Sequence, residues 1–106
     1  MAKFVFTYRM PAGYVPGRPG TMAAWTAWFE SMGESLAGIG NPVIESAELG
    51  NCGPGTRLGG YSFVTAGDLE SAVAIAKRSP ALDAGGVVEL GMVTEINTSA
   101  ASDGQG

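Results

Sequence analysis

The order of apolar periodicities constrains this chain most. Residues 3–8, KFVFTY, are short, aromatic and β-branched, and read as a strand. From Thr21 the spacing lengthens. Met22, Trp25, Phe29, Met32 and Leu36 recur at steps of three and four, flanked by Trp28 and Ile39, with Glu30, Ser31 and Glu34 on the other side. That spacing predicts an amphipathic helix with Thr21 as its N-cap, stopped by Gly38, Gly40 and Asn41-Pro42. Residues 42–49, PVIESAEL, and residues 58–65, LGGYSFVT, return to strand character. Asp68 is the expected cap of a second helix from Leu69 to about Ser79, on which Leu69, Ala72, Val73 and Ala76 share a face and after which Pro80 follows. A fourth strand falls within residues 85–96. The order β-α-β-β-α-β is the ferredoxin-like split motif, an α+β fold with a four-stranded antiparallel sheet and two helices on one face.

Between the first strand and the first helix, residues 9–20 hold three prolines and three glycines, and predict a long connection able to act as a movable cover. In Phe4-Val5-Phe6 and Phe63-Val64, successive apolar residues point to opposite faces, so both faces of those strands require burial. Two helices cover one face. A homodimer packed through the uncovered sheet face satisfies the other. With 106 residues, 45% of them hydrophobic, the chain fits one domain over residues 1–96 and a small, polar, flexible tail over residues 97–106.

Charge and residue types exclude several chemistries. Ten acidic and six scattered basic residues give a net charge of −4, which disfavours nucleic acid. No apolar run reaches membrane-spanning length, and residues 1–10 do not resemble a signal peptide, so no membrane partner and a cytoplasmic location are expected. The chain has no histidine and one cysteine, Cys52. A metal site, a histidine-activated nucleophile and an internal disulfide are therefore not expected, nor is a cofactor. The glycine-rich run GNCGPGTRLGGY, residues 50–61, leads into a strand rather than a helix N-terminus. It reads as a hairpin loop carrying an ordinary thiol, not as a phosphate cradle.

The candidate site residues follow from the expected topology. Tyr8 and Tyr61 lie on neighbouring central strands, and Trp28, off the centre of the helix stripe, is placed to reach a cleft mouth. Glu89 interrupts the apolar run Val87-Val88-Glu89-Leu90 and is the one candidate acid or base. Arg9 and Arg18 bracket the long connection and are candidates to meet an anionic ligand.

Residues 58–82, LGGYSFVTAGDLESAVAIAKRSPAL, and the later GGVVELGMV resemble the C-terminal half of YCII-related (DGPF-motif) domains. MAAWTAWFESMGESLAGIGNPV, residues 22–43, resembles their first helix with its Trp-x-x-Trp and Gly-x-Pro exit. The resemblance runs over residues 3–94 and implies a ferredoxin-like subunit in a dimeric α+β barrel. Where many such domains carry Asp-Gly-Pro-Phe, this chain has Cys52-Gly53-Pro54-Gly55. A His–Asp pair proposed for catalysis in some relatives has no counterpart in a chain without histidine. The family is poorly assigned in function. Three readings follow: binding of a small organic molecule in an aromatic pocket, a lyase or isomerase using Glu89 and a tyrosine, or a protein-interaction module.

Overall fold

The computed structural model describes residues 1–94. The tail expected from residue 97 lies outside them. Strands β1 (Ala2–Pro11), β2 (Leu36–Pro42), β3 (Thr56–Ala66) and β4 (Val87–Val93) form one sheet in the order β2-β3-β1-β4, every neighbouring pair antiparallel. Helices α1 (Pro19–Met32), α2 (Leu69–Ala76) and the single turn α3 (Pro80–Asp83) lie on one face. This is the ferredoxin-like α+β arrangement that the order of periodicities predicts.

The period-2 pattern of β1 decides which face carries the core. Phe4, Phe6, Tyr8 and Met10 are buried, and so are Ser62, Val64 and Ala66 of β3. They meet Trp28 and Met32 of α1, Ala72 and Ala76 of α2 and Ala81 of α3. Small residues on α2 and α3 let those elements lie close to the sheet, while α1 supplies the bulk. Asp68 caps α2 as expected, its carboxylate accepting the Ser71 N–H at 2.8 Å, and that bond holds its pKa below the ordinary carboxylate value. Ser79 does the same for α3 through the Ala81 N–H at 3.1 Å.

Several boundaries differ from the sequence reading; α2 stops at Ala76 instead of about Ser79, and Pro80 opens the short α3. α1 begins at Pro19, with Arg18 rather than Thr21 as its N-cap, because proline is pre-set for the first helical turn. It ends at Met32, where Gly33 turns the chain at φ 55° into a single 3₁₀ turn. Leu36 and Ile39, which continue the helical spacing, therefore stand on β2, and Pro42 closes that strand instead of opening it. Residues 43–49 form no strand; Ile44 and Leu49 are 80% and 90% exposed in a long connection to β3. β1 likewise runs past Tyr8 to Pro11, with a register shift after Tyr8, so the connection expected over residues 9–20 shrinks to residues 12–18.

Candidate functional site

A cavity of about 330 Å³ opens between α1, residues 12–18 and the helix-covered face of the sheet. Its floor is the end of β1 and the bulged pairing of β2 with β3. Met10, Met22, Trp25 and Phe29 make its walls largely apolar, and among the described residues no Lys, Arg, Asp or Glu lines it.

Tyr8 is the polar group that matters there. Alternation along β1 aims it inward, 4% exposed, with its ring edge-on to Trp25 at 4.8 Å and to Trp28 at 5.9 Å. Its hydroxyl is buried and has no hydrogen-bond partner among the described residues. Burial pushes the phenol up to about 12, and the neighbouring Ser62 hydroxyl offsets only part of that rise. Ser62 makes no well-formed hydrogen bond to the phenol; it donates its proton to Ile39 O at 2.8 Å. Tyr8 therefore stays a neutral donor across the physiological range.

This has a consequence for stability. An unfolded tyrosine loses its proton near 10, whereas folded Tyr8 keeps it to about 12. Between those values the unfolded state binds fewer protons, so stability is full below pH 10 and falls as pH rises toward 12. The expected loss is about 2–3 kcal/mol. Tyr8→Phe removes a buried hydroxyl that lacks a partner, so its stability at pH 7 should equal or exceed that of the parent, and this part of the alkaline loss should vanish. Urea titrations of both proteins from pH 8 to 11.5 measure it.

The cavity roof is pinned locally. Tyr14 turns back on the strand through its N–H to Pro11 O at 3.0 Å, and its hydroxyl accepts the Trp25 indole N–H at 3.2 Å. On the opposite wall, Gly40 sits at φ 70° inside the β2–β3 irregularity, and an added Cβ would lie 1.8 Å from Tyr61 O.

The candidates from sequence divide between the two faces. Tyr8 is on the cavity floor. Tyr61 borders the cavity within the run from Gly59 to Ser62, but by strand alternation its side chain belongs to the open face, where its ring meets Phe63 at 6.1 Å and its hydroxyl accepts from Asn41 at 3.2 Å. Trp28 does not reach the cavity mouth. It is 5% exposed, and its indole N–H donates to Ile75 O at 3.3 Å, so it ties α1 to α2. Glu89 pairs with Thr7, one residue out of phase with Tyr8, and is exposed on the open face. Arg9 shares that face. It is held by Glu48 at 2.7 Å and by Thr56 Oγ1 and O at 2.9 and 2.7 Å, and so anchors the long connection instead of facing the cavity. Arg18 caps α1. Strand parity thus separates the candidates Glu89 and Arg9 from Tyr8: neighbouring strands do not place residues on one face unless their register agrees.

Sequence reasoning missed Trp25, Tyr14 and the β2 residues of the wall. Trp25 lies in the same helical stripe as Trp28, and only the packing of α2 over Trp28 separates their roles. Tyr14 lies among prolines and glycines that carry no periodic signal. Among the described residues no group of three His, Cys, Asp or Glu side chains is placed to hold a metal ion. No described helix is long and apolar enough to cross a membrane.

No family model matches the chain, and no curated protein does. Among solved structures, the chain is similar to the 5-chloro-2-hydroxyhydroquinone dehydrochlorinase TftG of Burkholderia phenoliruptrix AC1100, in a complex with 2,5-dihydroxybenzoquinone. The TM-score is 0.62 at 16% identity, covering 92% of this chain and 97% of that one. At that identity the likeness establishes a shared fold.

Proposed function

We propose that this chain is a divergent YCII-type protein that binds an uncharged monocyclic aromatic molecule, such as a phenol or quinol, in the cavity over Tyr8. The order of the sequence motifs and the shared fold support the family. The observation that carries the ligand is the Tyr8 hydroxyl, buried against an apolar cavity with no partner of its own. A buried polar atom without a partner costs about 1–3 kcal/mol, and a ligand oxygen accepting its proton recovers much of that. Aromatic walls suit a flat ring. The absence of charged side chains from the described lining disfavours an ionised ligand, whose desolvation nothing there offsets. Glu89 stands on the opposite face from Tyr8, which favours binding over an acid–base reaction at this cavity.

Calorimetric titration with 4-methylphenol tests the reading. The parent should bind it, and Tyr8→Phe should weaken binding by about 1 kcal/mol or more, roughly fivefold. The TftG ligand 2,5-dihydroxybenzoquinone, a vinylogous diacid ionised at neutral pH, should bind more weakly than 4-methylphenol. Absence of 4-methylphenol binding, or equal binding by Tyr8→Phe, would refute the assignment.

The assembly belongs to the same reading. Val5, Tyr61 and Phe63 form an apolar strip on the open face, with Lys3 (its amine 5.9 Å from the Phe63 ring centroid) and Glu89 on neighbouring strands as opposite charges. A face carrying both signs around an apolar centre can complement a second copy of itself. Four strands spaced ~4.8 Å apart give a footprint of roughly 600 Å² before side-chain relief, near the ~800 Å² per partner of a stable interface. Sedimentation should therefore give about twice the 10.8 kDa chain mass, and Phe63→Asp should return the monomer. A parent that sediments as a monomer at micromolar concentration excludes the dimer.

A further inference from the structure

A second, solvent-open hollow of about 250 Å³ lies between α1 and α3, with half-buried Pro80 and exposed Ala24, Asp83 and Ala84 on its walls. It shares Tyr14, Thr21 and Trp25 with the cavity over Tyr8. The two spaces are therefore neighbours, and the residues they share are Thr21 and the hydrogen-bonded pair Trp25–Tyr14. We propose that Trp25 and Tyr14 form a partition that sets the length of ligand the Tyr8 cavity accepts, excluding from the second cavity a linear apolar chain carried by the ring. The inference rests on the binding of a neutral ring over Tyr8.

The geometry supports a partition rather than a fixed core wall. Trp25 stands edge-on to Tyr8 at 4.8 Å, so it faces whatever is anchored on the Tyr8 hydroxyl. It is only partly buried, unlike Trp28 beside it, which is 5% exposed and held by α2. Its indole N–H bond, at 3.2 Å, goes to a residue on the connection between β1 and α1. The second cavity offers alanine and proline surface to an alkyl chain, with the exposed Asp83 among its lining residues. A single aromatic ring fills the first space and leaves the partition closed. A para-alkyl chain longer than the first space can hold must displace Trp25 or stay in solvent.

Paired titrations with 4-methylphenol and 4-heptylphenol test this on the parent, Trp25→Ala, Tyr14→Ala and Phe29→Ala. The readout is the affinity ratio of the heptyl to the methyl compound. In Trp25→Ala the ratio should rise about tenfold or more over the parent, because buried methylenes add to affinity once the second cavity is open. Tyr14→Ala, changed on the connection and not on a helix, should raise it in the same direction and decides the matter if Trp25→Ala does not fold. Phe29 borders the first cavity only, so Phe29→Ala enlarges that space without opening the second and should raise the ratio less. A parent that binds 4-methylphenol, with ratios in Trp25→Ala and Tyr14→Ala within twofold of its own or matched by Phe29→Ala, overturns the partition alone. Failure of every variant and the parent to bind either phenol overturns both the partition and the ring-binding reading beneath it.

Discussion

Gly40→Ala is expected to cost about 2–4 kcal/mol, a third or more of the stability of many domains this size. Two effects add. The backbone at Gly40 has φ 70°, which a residue with a Cβ adopts at a cost of roughly 1–2 kcal/mol. The Cβ would also sit 1.8 Å from Tyr61 O and 2.7 Å from its carbonyl carbon, and these are backbone atoms of β3 that no rotamer change can move. Relief requires β2 to shift away from β3 at the irregularity between Gly38 and Asn41, where Ser62 holds Ile39 O at 2.8 Å. Two controls separate the effects. Gly55→Ala has φ 80° and nothing within 4 Å, so it should show the backbone strain alone. Gly38→Ala meets the Phe63 side chain at 3.5 Å, an ordinary contact, and should change stability little. Urea midpoints of the three variants give the order Gly40, Gly55, Gly38 in falling cost. A Gly40 loss no larger than that of Gly55 would mean that β2 is free to move, and that the wall it gives the cavity is not rigid.

That same position shows where the sequence stops being legible. β1, β3 and α2 can be read because each has one dominant signal: aromatic and β-branched runs for the strands, and an Asp cap before an alanine-rich face for the helix. β2 has none. Its residues, LAGIGNP, are small and glycine-rich, and Leu36 and Ile39 continue the helical spacing of α1. Only tertiary pairing with β3, anchored by a glycine that lets two backbones touch, makes it a strand. Residues 43–49 show the reverse case. Val43 and Ile44 suit a strand, but after the Val43 N–H bond to Gly59 O at 2.9 Å no described strand pairs with the segment, and Ile44 and Leu49 stay in solvent. The cavity was half legible for a related reason. Tyr8 could be named because it ends an aromatic run in a central strand, whereas its separation from Glu89 depends on a register that spacing along one strand does not state. The choice between Trp25 and Trp28 turned on which of them meets Ile75 of α2, a long-range contact with no local signature.

Trp28→Ala is expected to be the most damaging single side-chain truncation of the two tryptophans, costing about 3–5 kcal/mol. Trp28 packs against Phe6 of β1 at 6.4 Å, Tyr8 at 5.9 Å and Phe29 at 5.2 Å between ring centroids, and it is 5% exposed. Its loss leaves a void among the strand and both helices, and surroundings built from a sheet and alanine-lined helices have few large side chains free to fill it. The melting temperature should fall by roughly 10–30 °C. Trp28→Phe keeps an aromatic ring and gives up the indole hydrogen bond, but Ile75 O retains the Arg78 N–H at 3.2 Å, so that variant should lose only about 1 kcal/mol of bonding energy beyond its lost volume. The same variant separates core from cavity. Because Trp28 is not among the cavity-lining residues, Trp28→Phe should bind 4-methylphenol as the parent does, within twofold, while melting earlier. A Trp28→Phe protein that melts like the parent yet binds the phenol much more weakly would place Trp28 at the site, and would make Trp25 the residue that merely supports the fold.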